Sequence, residues 1–365
     1  MPAPTFARCS RAAFAAGTFL ALAVAAPQAA NAVSAAPHPS LNGCEGVAPI
    51  ICSFPDLAPG GYDVRVVLGD DAHAADTAVY VEARRLMLDK VDTEPGEIES
   101  YRFTVDVRDP EGQQNKPKGT GAPGLTLVFS GDEPAVEKIS VTPASEDTQK
   151  IALLGDSTVT DWEEGPTTGW GQRLPTHFNR GVAVVNHSGS GESTVSMLAK
   201  SQMFDALLPQ IGPGDLALIQ LAHNDKTTTA EQYRVNLTEM IDRVEERGAT
   251  AVLVTPIARH RFNPDGTLTD LGLIVTAEAD LPSEIRAVAA QRHVPLIDLT
   301  KRTQELLEAG GDAPTADLYM IPFTGDRTHT SDKGATVFAG LVADELRGLG
   351  LVEEADWRTL TPYRS

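Results

Sequence analysis

Positive charge is in short supply. Against 50 Asp and Glu stand 30 Lys and Arg, a formal net charge of −20, whereas phosphate backbones and anionic membrane surfaces are bound by clustered cations. Nucleic acid and membrane are therefore excluded as expected partners. Long apolar runs are also missing beyond the N-terminus: no later segment holds the ~20 consecutive apolar residues that a spanning helix needs. Cysteine is limited to Cys9, Cys44 and Cys52, with no His or further Cys beside them at ligand spacing, so no metal is expected. Aromatic residues make up 5% of the chain, and no cluster of them marks a sugar-stacking face.

The first feature present is a processing signal. Arg8 and Arg11 precede an apolar run from Ala12 to Ala26, too short to cross a bilayer comfortably, and Ala30-Asn31-Ala32 has the small-x-small pattern of signal-peptidase sites. Residues 1–32 are expected to be a signal peptide and the mature protein to be secreted; the alternative is an uncleaved N-terminal anchor. Cleavage removes Cys9 and leaves Cys44 and Cys52, an even pair bound for an oxidising compartment, expected to form a disulfide rather than two free thiols.

A length of 365 residues suggests two domains at ~150 residues each. From Ser53 to about Thr142 the pattern is strand-like: Tyr62–Leu68, Thr77–Ala83 and Tyr101–Val107 alternate apolar and polar residues, and Leu125–Phe129 and Ile139–Val141 follow between Gly, Pro, Asp and Asn clusters. This predicts a β-sandwich over residues 33–147, with an exposed loop from Glu111 to Pro123. Residues Pro143 to Gln149 mark a compositional break and are read as a linker. Beyond it, Ile151–Leu154, Val182–Val185, Leu216–Ile219, Ala251–Val254 and Val294–Ile297 are short apolar runs typical of buried strands, and Ala230–Arg247 carries Leu237, Met240, Ile241 and Val244 at helical spacing. Residues 148–365 are thus expected to be α/β, a doubly wound parallel sheet flanked by helices, with ligands bound beyond the carboxyl ends of its strands.

The polar motifs fall at those strand ends. Gly155-Asp156-Ser157-Thr158 follows the first buried strand; a serine hydroxyl is a poor nucleophile until a base takes its proton. Asp326-Arg327-Thr328-His329 supplies one, because an Asp three residues before a His can accept from Nδ1 and leave Nε2 basic. Asn186 to Ser193, rich in small residues, and His223-Asn224-Asp225 follow the second and third strands and offer backbone N–H groups and a side-chain amide to a developing oxyanion.

Taken in order, Gly155-Asp156-Ser157, the Gly of the second block, Asn224 and Asp326-x-x-His329 resemble the GDSL/SGNH hydrolase superfamily. Gly155 to Asp161, Gly169-Trp170-Gly171, Asn186-His187, His223-Asn224-Asp225 and Asp326 to Thr330 with Gly334-Ala335 look like its rhamnogalacturonan acetylesterases, over about residues 150–350. The resemblance implies an SGNH hydrolase fold and a secreted serine esterase that removes O-acetyl groups from a plant cell-wall polysaccharide such as rhamnogalacturonan, without cofactor. It implies Ser157 as nucleophile, His329 as base, Asp326 as its orienting partner, and an oxyanion hole from the Ser157 and Gly191 N–H groups and the Asn224 amide. Gly191 is chosen over Gly189 because Gly191-Glu192-Ser193 fits the family's frame. The sandwich is similar to the galactose-binding-like domains that precede such esterases, either as a carbohydrate-binding module or as a stabilising appendage.

Two departures from the family are Glu192, where Arg is common, and Ala222, where Gly is common. An anion at position 192 is expected to disfavour an acidic galacturonate ring. Trp170 is a candidate sugar-lining aromatic or a structural cap. His187 and His223 are read as hydrogen-bonded framework, with His223 also a candidate substrate contact, while a metal site built from them and His329 lacks the carboxylate-His spacing of zinc enzymes. Arg259, opening Arg259-His260-Arg261-Phe262, is a candidate for a substrate hydroxyl or carboxylate or part of a solvated loop. The expected partner is an acetylated polysaccharide and the expected state a monomer. Competing readings are a lipase or acyl-thioesterase on the same scaffold, and an inactive polysaccharide-binding protein.

Overall fold

The computed structural model describes residues 41, 43–109, 111–115 and 123–358. The expected signal peptide and its cleavage site, Cys9, His38 and residues 116–122 of the expected loop lie outside the described residues. From Leu41 onward the described residues belong to one compact unit.

Eight antiparallel strands come first: β1 (Cys44–Glu45), β2 (Ile50–Phe54), β3 (Gly60–Leu68), β4 (Ala75–Val81), β5 (Arg85–Thr93), β6 (Glu99–Val107), β7 (Leu125–Ser130) and β8 (Val136–Pro143). They form two sheets, β1-β2-β7-β4-β5 and β6-β3-β8. The period-2 pattern explains the sandwich: alternate residues Val64, Val66 and Leu68 of β3 meet Val79, Val81, Leu125, Leu127 and Phe129 in one shared core. Cys44 and Cys52 face each other across the β1–β2 pair and are joined as a disulfide. Strand β5 was not anticipated, because Arg85-Leu86-Met87-Leu88 does not alternate. Its first four residues are all buried, since one face lies on the sandwich core and the other on the α/β part.

The parallel sheet consists of β9 (Gln149–Gly155), β10 (Val182–Asn186), β11 (Leu216–Gln220), β12 (Thr250–Val254) and β13 (Leu296–Ile297), in the order β10-β9-β11-β12-β13. Successive residues point to opposite faces, and each face has its own core. Ile151, Leu153, Val184, Leu218 and Val252 pack with Phe338, Val342 and Leu346 of the helix Asp332–Leu349. Leu154, Val185, Ile219 and Leu253 pack with Leu237, Met240, Ile241 and Val244 of the helix Ala230–Glu245, which is capped by Thr229. Each such side chain contributes roughly 1.5–3 kcal/mol on burial. β9 lies between β10 and β11, so the chain crosses to the other side of it after β10, and this switch point is where doubly wound sheets open a crevice. The segments after β9, β10 and β11 therefore share one sheet end.

The stretch read as a linker is a short turn, held by Ala144 N–H to Gly61 O at 2.9 Å and Gln149 N–H to Gly181 O at 2.9 Å. The sandwich rests directly on the α/β part. Gln172 donates to Ala83 O at 2.5 Å, Arg173 to Arg84 O at 2.9 Å, and Gly181 N–H to Thr104 Oγ1 at 3.0 Å. Among the described residues no helix is long and apolar enough to cross a membrane.

Candidate active site

β9 ends at Gly155 and the chain turns at once. Asp156 Oδ1 accepts from the Thr158 backbone N–H at 2.9 Å and its hydroxyl at 2.8 Å, and Asp156 O accepts from Val159 and Thr160 N–H, both at 3.1 Å. This local network, rather than a helix, fixes the turn that carries Ser157. Burial pushes the Asp156 carboxyl above its ordinary value, against the lowering effect of the Thr158 bonds.

The second half of the site comes from the segment before the helix Asp332–Leu349. Its position is set by Gly334: a Cβ there would lie 1.8 Å from Leu318 O, so only glycine allows the helix start to seat on that carbonyl. Thr330 Oγ1 donates to Thr168 O at 2.5 Å, and Met320 N–H to His329 O at 2.9 Å. Held in this way, His329 places Nε2 2.9 Å from Ser157 Oγ and Nδ1 2.6 Å from Asp326 Oδ2. Asp326 Oδ1 also accepts the N–H groups of Thr328 at 2.7 Å and His329 at 3.2 Å. Burial alone raises the Asp326 carboxyl, but the His329 bond and these N–H groups outweigh it and hold the pKa below the ordinary value. An ionised Asp326 accepts only from an Nδ1–H tautomer, which leaves Nε2 free to accept from the serine hydroxyl.

Trp162, which the motif reading passed over, completes this arrangement. Its ring meets His329 edge-on, centroids 5.8 Å apart at 84°, and its Nε1–H donates to Ser157 O at 2.9 Å. Its position five residues past Ser157 was the available signal, though separation alone does not tell a contact from a solvent-facing ring.

In the loop after β10, Gly189 N–H is committed to Gly155 O at 3.0 Å. Gly191 has φ +83°, open space where a Cβ would be, and no hydrogen bond on its N–H among the described residues. After β11, the Asn224 amide donates one hydrogen to Glu192 O at 2.9 Å and keeps a second. An N–H group and an amide hydrogen therefore remain available in the loops flanking β9, which is the donor set acyl transfer requires.

The four candidate substrate contacts are all buried. Trp170 is 1% exposed and donates to Gln220 Oε1 at 2.9 Å; its apolar ring belongs to the core and presents no face to a sugar. Glu192 is fully buried, with Oε1 accepting from Lys200 Nζ at 2.5 Å and from Asn115 at 2.8 Å, and Oε2 from Ser196 at 2.5 Å. Its charge is neutralised locally, so the expected repulsion of an acidic ring falls away. His223 is 2% exposed, with burial and then the adjacent Arg259 holding its pKa well below the ordinary value. Arg259, itself buried, donates through Nε to His223 Nδ1 at 3.3 Å and through Nη2 to the His223 carbonyl at 3.0 Å, while its Nη1 has no hydrogen-bond partner among the described residues. His187 is likewise buried, packed against Gln210. Among the described residues no group of three or more His, Cys, Asp or Glu is arranged to hold a metal ion.

Residues 153–337 match the model of the GDSL-like lipase/acylhydrolase family. The chain is 35% identical over 219 residues to rhamnogalacturonan acetylesterase RhgT of Bacillus subtilis, an alignment covering 55% of this chain and 91% of that protein. It is 29% identical over 304 residues to the uncharacterized esterase YxiM of the same organism, covering 81% of this chain and 74% of YxiM. The solved YxiM structure superposes with a TM-score of 0.52 at 24% identity, over 83% of this chain and 80% of that one, a likeness of fold that extends past the α/β part into the preceding strands.

Proposed function

The chain belongs to the GDSL-like lipase/acylhydrolase family and is a carboxylic ester hydrolase, and from that premise we propose that it is a secreted carbohydrate acetylesterase acting through Ser157, His329 and Asp326. The observation that carries this reading is the continuous relay from Ser157 Oγ to His329 Nε2 at 2.9 Å and from His329 Nδ1 to Asp326 at 2.6 Å. His329 takes the Ser157 proton as Oγ attacks the acetyl carbonyl, and the imidazolium is stabilised by Asp326. The oxyanion is held by the N–H groups of Ser157 and Gly191 and the free amide hydrogen of Asn224. His329 then protonates the departing sugar oxygen, and the acetyl-enzyme is released by a water that His329 deprotonates, giving acetate and the original serine.

An acetylated plant cell-wall polysaccharide, rhamnogalacturonan first, is the proposed substrate. The similarity to RhgT supports it, and the neutralised Glu192 removes the electrostatic objection to an acidic backbone. Replacing Ser157 by Ala is expected to abolish acetate release from acetylated rhamnogalacturonan and from a chromogenic acetate; wild-type turnover in that variant would refute the mechanism. Comparing acetyl with octanoyl esters tests the lipase alternative, and a clear octanoyl preference would sink the acetylesterase reading.

A further inference from the structure

Residues 111–115 belong to the connection between β6 and β7 of the sandwich and lie outside the stretch matched by the family model, yet they reach the loop after β10. Asn115 Nδ2 donates to Ser190 O at 2.7 Å and to Glu192 Oε1 at 2.8 Å. Gln113 Oε1 accepts the Ser190 N–H at 3.0 Å, and the Gln113 N–H donates to Glu163 Oε1 at 3.2 Å, on the segment that follows Ser157. The approach is tight: a Cβ on Gly189 would lie 2.6 Å from Asn115 Cγ.

These bonds grip both neighbours of Gly191. Ser190 is held through its N–H and its carbonyl, and Glu192 through its carboxylate, which is pinned further by Lys200 and Ser196 and whose carbonyl receives Asn224. Gly191 itself has positive φ and nothing within contact distance of a Cβ, so no side chain of its own orients its peptide. A peptide with that freedom keeps one orientation only if its flanking residues are fixed, and an oxyanion donor must be fixed before charge develops if it is to stabilise the transition state.

We propose that Asn115, with Gln113, is a positioning element of the oxyanion loop: the sandwich aims the Gly191 N–H. The inference rests on the reading of Gly191 and Asn224 as oxyanion donors. It gives the N-terminal strands a part in catalysis that does not depend on their binding carbohydrate.

The test uses the full chain and a chromogenic acetate, with Asn115→Ala, Asn115→Asp, Asn224→Ala, the Asn115→Ala/Asn224→Ala double variant and Ser157→Ala compared well below their melting temperatures. Asn115→Ala is expected to lower kcat about tenfold with KM within about twofold, a smaller loss than the roughly 10²–10³-fold of deleting a donor outright. Asn115→Asp keeps the size of the side chain but sets a second carboxylate against Glu192, and is expected to lose more. In the double variant the losses fall short of their product, because both residues act on one oxyanion. Wild-type kcat in both Asn115 variants, or losses that multiply, overturns the proposal while an inactive Ser157→Ala leaves the serine mechanism standing. An active Ser157→Ala overturns both.

Discussion

Arg108, the residue after β6, donates to the carboxylate of Asp161, four residues past Ser157, and through its other nitrogen to Asn186 O at the end of β10. Asp161 Oδ1 meanwhile accepts from Asn186 Nδ2 at 2.7 Å. One buried guanidinium thus ties the sandwich to two of the loops around Ser157. Removing one member of a buried pair leaves the other charge without a partner, and Arg108→Ala is expected to cost about 3–5 kcal/mol. Urea unfolding of the full chain measures it; a change within error of zero would mean that Arg85, whose Nε lies 3.6 Å from Asp161, carries the pair alone.

Beside that pair, Glu82 is 7% exposed, and neither carboxylate oxygen has a hydrogen-bond partner. Desolvation pushes its pKa up to about 8, against the opposing pull of Arg85. The unfolded chain releases this proton near the ordinary carboxylate value, whereas the folded chain keeps it to about 8. Stability from this group is therefore present at acid pH and declines between roughly pH 4.5 and 8. Glu82→Gln is expected to melt above wild type by about 2 °C or more at pH 8, with the gap closing toward pH 4.5. A gap independent of pH argues against the titration.

Trp170 is a core residue, and its substitution separates packing from recognition. Trp170→Phe leaves Gln220 Oε1 without its donor and opens space, costing about 1–3 kcal/mol. KM for acetylated oligosaccharides is expected to stay unchanged. A raised KM with intact stability would return Trp170 to the sugar site.

Asp326→Asn tests the orienting carboxylate. An amide cannot stabilise the imidazolium, and kcat is expected to drop on the order of 10⁴-fold, with KM little altered. Loss of less than about tenfold would assign the backbone contacts of His329 the larger share of the orientation.

The disulfide closes a short loop, Cys44 to Cys52. By loop-closure entropy it contributes about 2.5 kcal/mol. Replacing both cysteines by serine is expected to lower the melting temperature to a corresponding degree without changing kcat, as read by calorimetry and acetate release.

The parallel strands were legible because each is a compact apolar run, and the Asp326-x-x-His329 contact was legible because it is local. What escaped was of two kinds. Trp170 sits in a glycine-flanked motif that looks the same in sequence whether its ring faces solvent or the core; burial decided it. Arg85, Arg108, Gln113 and Asn115 serve loops at least 50 positions away, as the separations of 78 between Arg108 and Asn186 and of 75 between Asn115 and Ser190 illustrate. No periodicity or motif links such partners. Glu192 misled for the same reason: its charge was visible, but Lys200 and Asn115 beside it were not.

Synthesis runs from the N-terminus, at about 5–20 residues per second. The sandwich is complete in sequence at Pro143, before the first parallel strand is made, while Ser157 and His329 are separated by 172 positions. The sandwich residues that hold Asp161, Ser190 and Glu192 are thus made before the residues they hold. The partners of the Gly191 loop are therefore written into the chain ahead of the loop itself, and His329, made last of these residues, completes the relay.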